Sequence, residues 1–182
     1  PYNYWVAKYP VTNAQYARFV QARGYQTRAF WSDQGWAWRT GKYDERTIEP
    51  VERDWLDHRP ATRRNAPYFW HNIELGNPIF PVVGVCWYEV EAYCNWMTKN
   101  IVAVPAGYTV RLPMDMEWER AARGDKGREY PWGNEFDKTA CNTWDSDPSG
   151  TGLGGTTAVC TFLQGISPVG AWDMSGNVWE WT

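Results

Sequence analysis

The chain has 182 residues and a formal net charge of −3, which fits one domain over residues 1–182 and excludes the basic surplus typical of nucleic-acid-binding proteins. Its mean hydropathy of −0.62 and its short apolar runs predict no transmembrane span. The 14 tryptophans, 11 tyrosines and 6 phenylalanines, together with 16 glycines and 12 prolines, predict a loop-rich fold in which large rings fill the space between irregular segments. A carbohydrate-type aromatic binding surface is the alternative interpretation.

The first predicted elements are a short strand over residues 3–9 and a helix over about residues 13–23. Thr12 and Gln15 have the spacing of a capping box, in which two side chains satisfy the free amides at a helix start. Gly24 stands where a glycine commonly ends a helix. These signals predict the first helix with well-marked ends.

An irregular segment is predicted over residues 25–80, because turn residues are frequent there and apolar periodicity is weak. Residues 81–85 read as a strand or a loop, and a second helix is predicted over about residues 87–99. A short strand over residues 108–112 leads to a third helix that begins at Pro113. Glycine-rich loops and short strands are predicted for the remainder of the chain.

Two charge runs lie in the irregular segment, RTGKYDER and RPATRR. The usual interpretation of such a run is a solvated surface, with contact to a partner as the alternative. His58 and His71 lack the spacing of metal ligands and are predicted to be surface or packing residues.

Four cysteines are present, at positions 86, 94, 141 and 160. Their even number allows three disulfide pairings, but none forms a C-x-x-C motif. With only two histidines in the chain, the sequence predicts no zinc site. Free buried thiols and two disulfide bridges both remain open.

Six motifs follow one another along the chain: YPVTNAQYARFV, PVVGVCWYEVEAYCNWM, VRLPMDMEWERAARG, YPWGNEFD with CNTW, GGTTAV, and SPVGAWDMSGNVWEW. Together, over about residues 5–181, they resemble the formylglycine-generating enzyme family, also called the sulfatase-modifying-factor domain. The resemblance implies a C-type-lectin-like α+β fold with short strands, about three helices and much irregular structure. Cys86 and Met114 replace the serine and threonine that usually cap two of the family's helices, which predicts weaker caps.

The family's domain continues past the GNVWEW motif into a segment that, in the true oxidases, carries two copper-binding cysteines. The resemblance therefore implies that residues 1–182 are a C-terminally incomplete domain, and copper is expected only together with that further segment. Cys86 and Cys94 lie two helical turns apart, roughly 12 Å of rise, which is too far for two-sulfur ligation of one copper ion. None of the four cysteines matches the family's catalytic positions, so no catalytic residue is predicted in this chain.

Calcium is implied by the resemblance at two places. The first is the CNTW segment, where the ligands would be the Asn142 side chain and the main-chain carbonyls of Thr143 and Leu153. The family's acidic ligand has no direct match, and Asp145 or Asp147 could replace it. Oxygen ligands on a loop suit a hard cation such as calcium. A solvated turn is the alternative interpretation of this segment.

The second place is the closing GNVWEW motif. Gly176 and Val178 would provide carbonyls and Glu180 a carboxylate, while Asn177 would shape the turn. The alternative is a structural role in which Glu180 accepts backbone amides in a buried loop. In both cases this carboxylate, which stands between two tryptophans, is expected to have a partner.

Three functions are consistent with the resemblance. The first is an enzyme, either a copper-dependent oxidase that converts a substrate cysteine to formylglycine or a related iron-type sulfoxide synthase. The second is a non-catalytic binding module for a protein or peptide ligand, such as a diversity-generating retroelement variable protein. The third is an accessory domain of a larger signalling or defence protein.

Overall fold

The computed structural model describes residues 2–43, 59–101, 104–143 and 155–182. Within these ranges it contains four α-helices, α1 Asn13–Gln21, α2 Asp33–Thr40, α3 Trp87–Asn100 and α4 Asp115–Arg123. Three single-turn 3₁₀ helices lie at Arg28–Phe30, Ala61–Arg63 and Leu163–Gly165. Among these residues no helix has the length and apolar character needed to cross a membrane.

The short strands predicted at residues 3–9 and 108–112 are not formed. Over the described ranges, β pairing is limited to two isolated antiparallel bridges, Thr12 with Pro81 and Tyr130 with Gly133. Isolated hydrogen bonds to other segments hold these residues instead. The Lys8 carbonyl accepts the Trp172 amide at 2.8 Å, and the Val110 amide donates to the Thr98 hydroxyl at 2.8 Å. Strand-like composition thus occurs here without the repeated pairing that makes a sheet.

Helix α1 ends in a Schellman motif, although not at the glycine that the sequence suggested. Arg23 adopts the left-handed conformation, with φ of 55°. The amide of Gly24 donates to the Phe19 carbonyl at 2.9 Å, and the amide of Arg23 donates to the Val20 carbonyl at 3.1 Å. These are the two hydrogen bonds that define this cap. Glycine is needed at position 24 because an added Cβ would lie 2.0 Å from the Phe19 ring.

Helix α2 corrects the prediction of an irregular segment over residues 25–80. The Ser32 hydroxyl caps its first turn by accepting the amide of Gly35 at 3.2 Å. Gly41 closes the helix in the left-handed conformation, with φ of 71°. A capping serine and a terminal glycine nine residues apart were therefore readable signals, but the surrounding turn residues obscured the short helix between them.

Helices α3 and α4 share one device at their N-termini. Glu89 accepts the amide of Cys86 at 2.8 Å, and Glu117 accepts the amide of Met114 at 2.8 Å. Each glutamate stands at the third helical position, so it supplies the carboxylate half of a capping box. The amides at both unusual cap residues are therefore satisfied.

The chain divides into two compact units. The first comprises Pro1–Asn13, Asn72–Val82 and Pro113–Thr182, and the second comprises Ala14–His71 and Val83–Leu112. The first unit has a small core of Ala121, Ala122, Ala171 and Met174, against which Val6 and Trp118 pack. The core of the second unit is aromatic, as the packing interpretation expects, and its buried rings are Tyr16, Phe19, Tyr25, Trp31, Trp38, Tyr93 and Trp96.

Candidate functional site

Asn177 connects three segments of the first unit. Its side-chain Oδ1 accepts the Thr157 amide at 2.9 Å, the Thr157 hydroxyl at 3.3 Å and the Asn142 side-chain amide at 3.2 Å. Its own amide donates to the Asn142 carbonyl at 2.9 Å. Its φ of 65° is a conformation that asparagine tolerates better than most residues. Asn177 thus holds the closing motif against the CNTW and GGTTAV motifs.

Gly176 allows this close approach. It has a φ of 82°, and an added Cβ would lie 2.5 Å from the Asn142 carbonyl oxygen. The Gly176 carbonyl, one of the predicted calcium ligands, accepts the amide of Val178 at 2.9 Å. A carbonyl oxygen has two lone pairs, so this bond leaves one for another partner. The structure therefore brings together Asn142, which belongs to the first predicted calcium place, and Gly176 and Asn177, which belong to the second.

Glu180 is paired, but with a side chain instead of the backbone amides that the structural alternative proposed. The indole Nε1 of Trp118 donates to its Oε2 at 2.5 Å. Burial raises the pKa of Glu180, the Trp118 hydrogen bond lowers it, and the negative charge of Asp173 raises it further. Its charged form is therefore disfavoured by the surroundings.

Asp173 is a residue of this region that the sequence reasoning missed. Its Oδ2 accepts the amide of Cys160 at 3.0 Å, and its φ is 57°. Burial also raises the pKa of Asp173, against the lowering effect of its bonds to Cys160 and Asn177. Its place in the SPVGAWDMSGNVWEW motif was the available signal. Its proximity to Glu180 depends on the turn at Gly176 and Asn177, which spacing alone does not reveal.

The second predicted calcium place contains two carboxylates, and calcium binding there stays a prediction. Two partly buried carboxylates, Asp173 and Glu180, repel each other there, and a cation would relieve both the repulsion and the cost of burial. Across the described ranges no group of three histidine, cysteine, aspartate or glutamate side chains could hold a metal ion. Calcium at this place would therefore rely on backbone carbonyls as well, and those of Gly176 and Val178 are the predicted ones.

The first predicted calcium place is described only in part. Asn142 directs its Nδ2 to the Gly155 carbonyl at 3.0 Å and to Asn177, and Thr143 follows it in the chain. Asp145, Asp147 and Leu153 lie outside the described residues. Calcium binding by this segment stays a prediction.

The four cysteines are all free, so none of the three possible disulfide pairings forms. Burial raises the pKa of the Cys94 thiol to about 11 and raises that of Cys86 still further. The pKa values of Cys141 and Cys160 are also raised, chiefly by burial. Because the thiolate is both the nucleophile and the copper ligand, all four environments lower the fraction of the reactive form.

A buried ion pair organises the second unit and corrects the interpretation of RPATRR as a solvated run. Arg59 and Glu89 have 1% and 0% of their side-chain surface exposed. Two parallel hydrogen bonds join them, Nη1 to Oε2 at 2.7 Å and Nη2 to Oε1 at 2.5 Å. The Tyr25 hydroxyl also donates to Oε1, at 2.5 Å. Arg64 is equally buried, and its guanidinium lies over the Trp38 ring at 5.1 Å.

Comparison with known proteins places these features in a family. The sequence model of one protein family, the sulfatase-modifying factor enzyme 1-like domain, matches residues 2–182. The chain is 33% identical to the inactive C-alpha-formylglycine-generating enzyme 2 of Bos taurus, over 96% of this chain and 57% of the relative. It is 34% identical to the formylglycine-generating enzyme of Thermomonospora curvata, over 97% of this chain and 58% of that enzyme.

A third relative, the hercynine oxygenase of Mycolicibacterium thermoresistibile, is 31% identical over 97% of this chain and 34% of its own length. The chain thus spans a little over half the length of the two formylglycine-generating-enzyme relatives, and a third of the oxygenase. The family match extends over nearly every residue of the chain. The chain therefore belongs to the family of sulfatase-modifying factor enzyme 1-like domains.

Proposed function

We propose that residues 1–182 form a calcium-stabilised scaffold of a formylglycine-generating-enzyme-like domain with a C-type-lectin-like topology. In this proposal the chain supplies framework and cation binding. Oxidation of a substrate cysteine, where the whole protein performs it, uses cysteines outside these residues. The supporting observation is the contrast between two features. Asn177 joins three family motifs, whereas the four cysteines are free and have raised pKa values.

The thiols provide the first test. Cys94 has a pKa of about 11 against an ordinary value of 9.0, so its thiolate fraction near neutral pH is about 100-fold below that of an ordinary thiol. We expect Cys86 and Cys94 in the native chain to alkylate with iodoacetamide far more slowly than in urea. The rate at Cys94 should rise as the pH approaches 11, as followed by peptide mass spectrometry.

The same shift has a consequence for stability. Because the folded pKa of Cys94 is raised, its contribution to stability is complete below pH 9 and is lost as the pH rises toward 11.

The chain unfolded in urea is the control for the alkylation rates. Stoichiometric retention of copper(I) by the native chain, abolished by Cys86→Ser or Cys94→Ser, would contradict the scaffold proposal.

Calcium provides the second test. We expect calcium, but not magnesium at the same concentration, to raise the thermal unfolding midpoint of the chain. When the free calcium concentration is 100 times the dissociation constant of the site, binding raises the free energy of unfolding by about 2.7 kcal/mol. Because the pKa values of Asp173 and Glu180 are raised, protons compete with the cation. The calcium effect should therefore weaken as the pH falls into the acidic range.

Two variants localise the effect. Glu180→Gln removes the carboxylate at the second calcium place, and we expect it to lower the bound calcium in equilibrium dialysis by one ion per chain. Glu119→Gln is the matched control, because Glu119 pairs with Arg123 on the exposed face of α4. Equal calcium binding by Glu180→Gln and the parent chain would exclude Glu180 as a ligand.

A non-catalytic binding module is the second candidate. It is supported by the relative from Bos taurus, whose name calls it inactive, and by exposed rings in the first unit, including Trp5 and Trp179. Such rings suit a protein or peptide ligand. Metal analysis of the full-length protein separates the candidates. Thiol-dependent copper at one equivalent would contradict the binding module, whereas calcium alone is compatible with it.

A further inference from the structure

Three arginines, which we call the arginine cluster (Arg39, Arg59 and Arg64), meet at the C-terminal end of α2 in the second unit. Arg39 lies on the last turn of α2. Arg59 and Arg64 lie on either side of the 3₁₀ turn Ala61–Arg63, which packs against that helix. The guanidinium groups of Arg59 and Arg64 face the same ring, that of Trp38, at 5.2 and 5.1 Å. Packing thus gathers positive charge where water screens it poorly.

Buried carboxylates do not balance the charge of this cluster. Among the described residues of the second unit, Glu89 is the one fully buried acid, and both of its oxygens accept hydrogen bonds from Arg59, at 2.7 and 2.5 Å. Arg64, which is equally buried, donates instead to two main-chain carbonyls and a tyrosine hydroxyl. These neutral groups satisfy its hydrogen bonds but leave its charge uncompensated. Three guanidinium groups against one carboxylate leave two positive charges in excess.

The cluster also contains unused donors. Among the buried side-chain atoms of the described residues, Nε of Arg39 and Nε of Arg59 have no hydrogen-bond partner. The Nη1 atom of Arg39 donates to the Ala61 carbonyl at 3.4 Å, which is long for a hydrogen bond. Burial lowers the pKa of Arg39, and the charge of Arg64 lowers it further, although Glu89 partly offsets this. A bound anion would relieve both the unused donors and the repulsion between like charges.

We propose that the arginine cluster binds a dianionic phosphate group at the end of α2. A guanidinium fork matches the oxygen spacing of an oxyanion, which favours phosphate over a spherical ion such as chloride. A phosphate group carries about −1.5 to −2 charges at pH 7, close to the excess of the cluster, whereas a carboxylate would balance only half of it. Arg39 is half-buried and would meet the ligand from the solvent side. The site lies in the second unit, so it does not depend on the calcium proposal.

The test is isothermal titration calorimetry of the purified chain with inorganic phosphate. Sodium chloride keeps the ionic strength constant, and a calcium buffer fixes free calcium, so that phosphate cannot act by removing it. We expect one phosphate to bind per chain and the thermal unfolding midpoint to be higher in phosphate than in chloride. Phosphate should bind more tightly at about pH 8 than at about pH 6, because its second proton is lost over this range. Sulfate, which is a dianion at both values, should bind equally at both.

Variants of the half-buried member localise the site without removing a fully buried charge. Arg39→Met keeps an unbranched apolar side chain but no charge, and we expect it to weaken phosphate binding about tenfold. In phosphate-free buffer the same variant should unfold at a higher temperature than the parent chain, because repulsion by Arg64 is relieved. Arg63→Met is the matched control, since Arg63 is exposed on the adjacent 3₁₀ turn, and it should leave phosphate binding unchanged.

Three results would overturn the proposal. The first is a phosphate response equal to that of chloride at the same ionic strength. The second is unchanged phosphate affinity in Arg39→Met with a lower unfolding midpoint, which would make Arg39 a structural residue only. The third is an equal loss of affinity in Arg63→Met, which would indicate attraction to the surface in general. Titration with glycerol phosphate identifies the source of the group: tighter binding than inorganic phosphate indicates a phosphorylated small molecule, and weaker binding indicates the free ion.

Discussion

Replacing Glu89 by glutamine is expected to lower the free energy of unfolding by about 3–5 kcal/mol. The substitution leaves the shape of the side chain nearly unchanged, but it removes the negative charge that pairs with Arg59, whose own side chain is 1% exposed. It also weakens the acceptor for the Tyr25 hydroxyl and the Cys86 amide. Urea denaturation followed by tryptophan fluorescence would measure the loss.

Two controls test this explanation. Asp33→Asn breaks the exposed pair between Arg28 and Asp33 and should leave the unfolding midpoint within experimental error, because water already solvates both charges. The double variant Glu89→Leu with Arg59→Met removes both charges and should recover much of the stability lost in Glu89→Gln. An unchanged unfolding midpoint in Glu89→Gln would show that the buried pair does not stabilise this unit.

Replacing Gly176 by alanine is the second substitution with a large expected effect. The left-handed conformation costs a non-glycine residue about 1–2 kcal/mol. The collision of the new Cβ with the Asn142 carbonyl, at 2.5 Å, adds ~1–3 kcal/mol. We expect the loss in urea denaturation to reflect both effects. Faster hydrogen exchange at the Asn177 amide, which bonds that carbonyl, should accompany it.

Gly127→Ala is the matched control for this prediction. Gly127 has a φ of 59°, and an added Cβ would meet nothing within 4 Å. Its replacement should therefore show only the conformational cost. Equal losses of stability in Gly176→Ala and Gly127→Ala would mean that the contact with Asn142 does not hold the closing motif in place.

Helices α1, α3 and α4 could be predicted because their signals are local. Apolar periodicity and N-terminal capping residues act within one or two turns, so the predicted and observed bounds differ by only a few residues. Helix α2 was missed because its eight residues give too short a pattern to stand out among turn residues. The strand predictions failed because a strand requires a partner, and pairing is a property of distant segments.

The candidate site divides in the same way. The resemblance identified Asn142, Gly176, Asn177 and Glu180 as residues of interest. It could not show that Asn177 joins Asn142 to Thr157, or that Trp118 is the partner of Glu180. These contacts span between 20 and 62 residues of sequence. Asp173 was missed for the same reason, since its relation to Glu180 depends on the turn between them.

By itself the sequence determined the family, the three longest helices and the aromatic character of the interior, because motif order, periodicity and composition are properties of consecutive residues. Only the tertiary structure decided that Arg59 and Arg64 are buried, that Glu89 pairs with Arg59 and accepts the Tyr25 hydroxyl, and that the four thiols are not bridged. Burial of a charge depends on whether a distant partner can compensate it, and no stretch of local sequence contains that information.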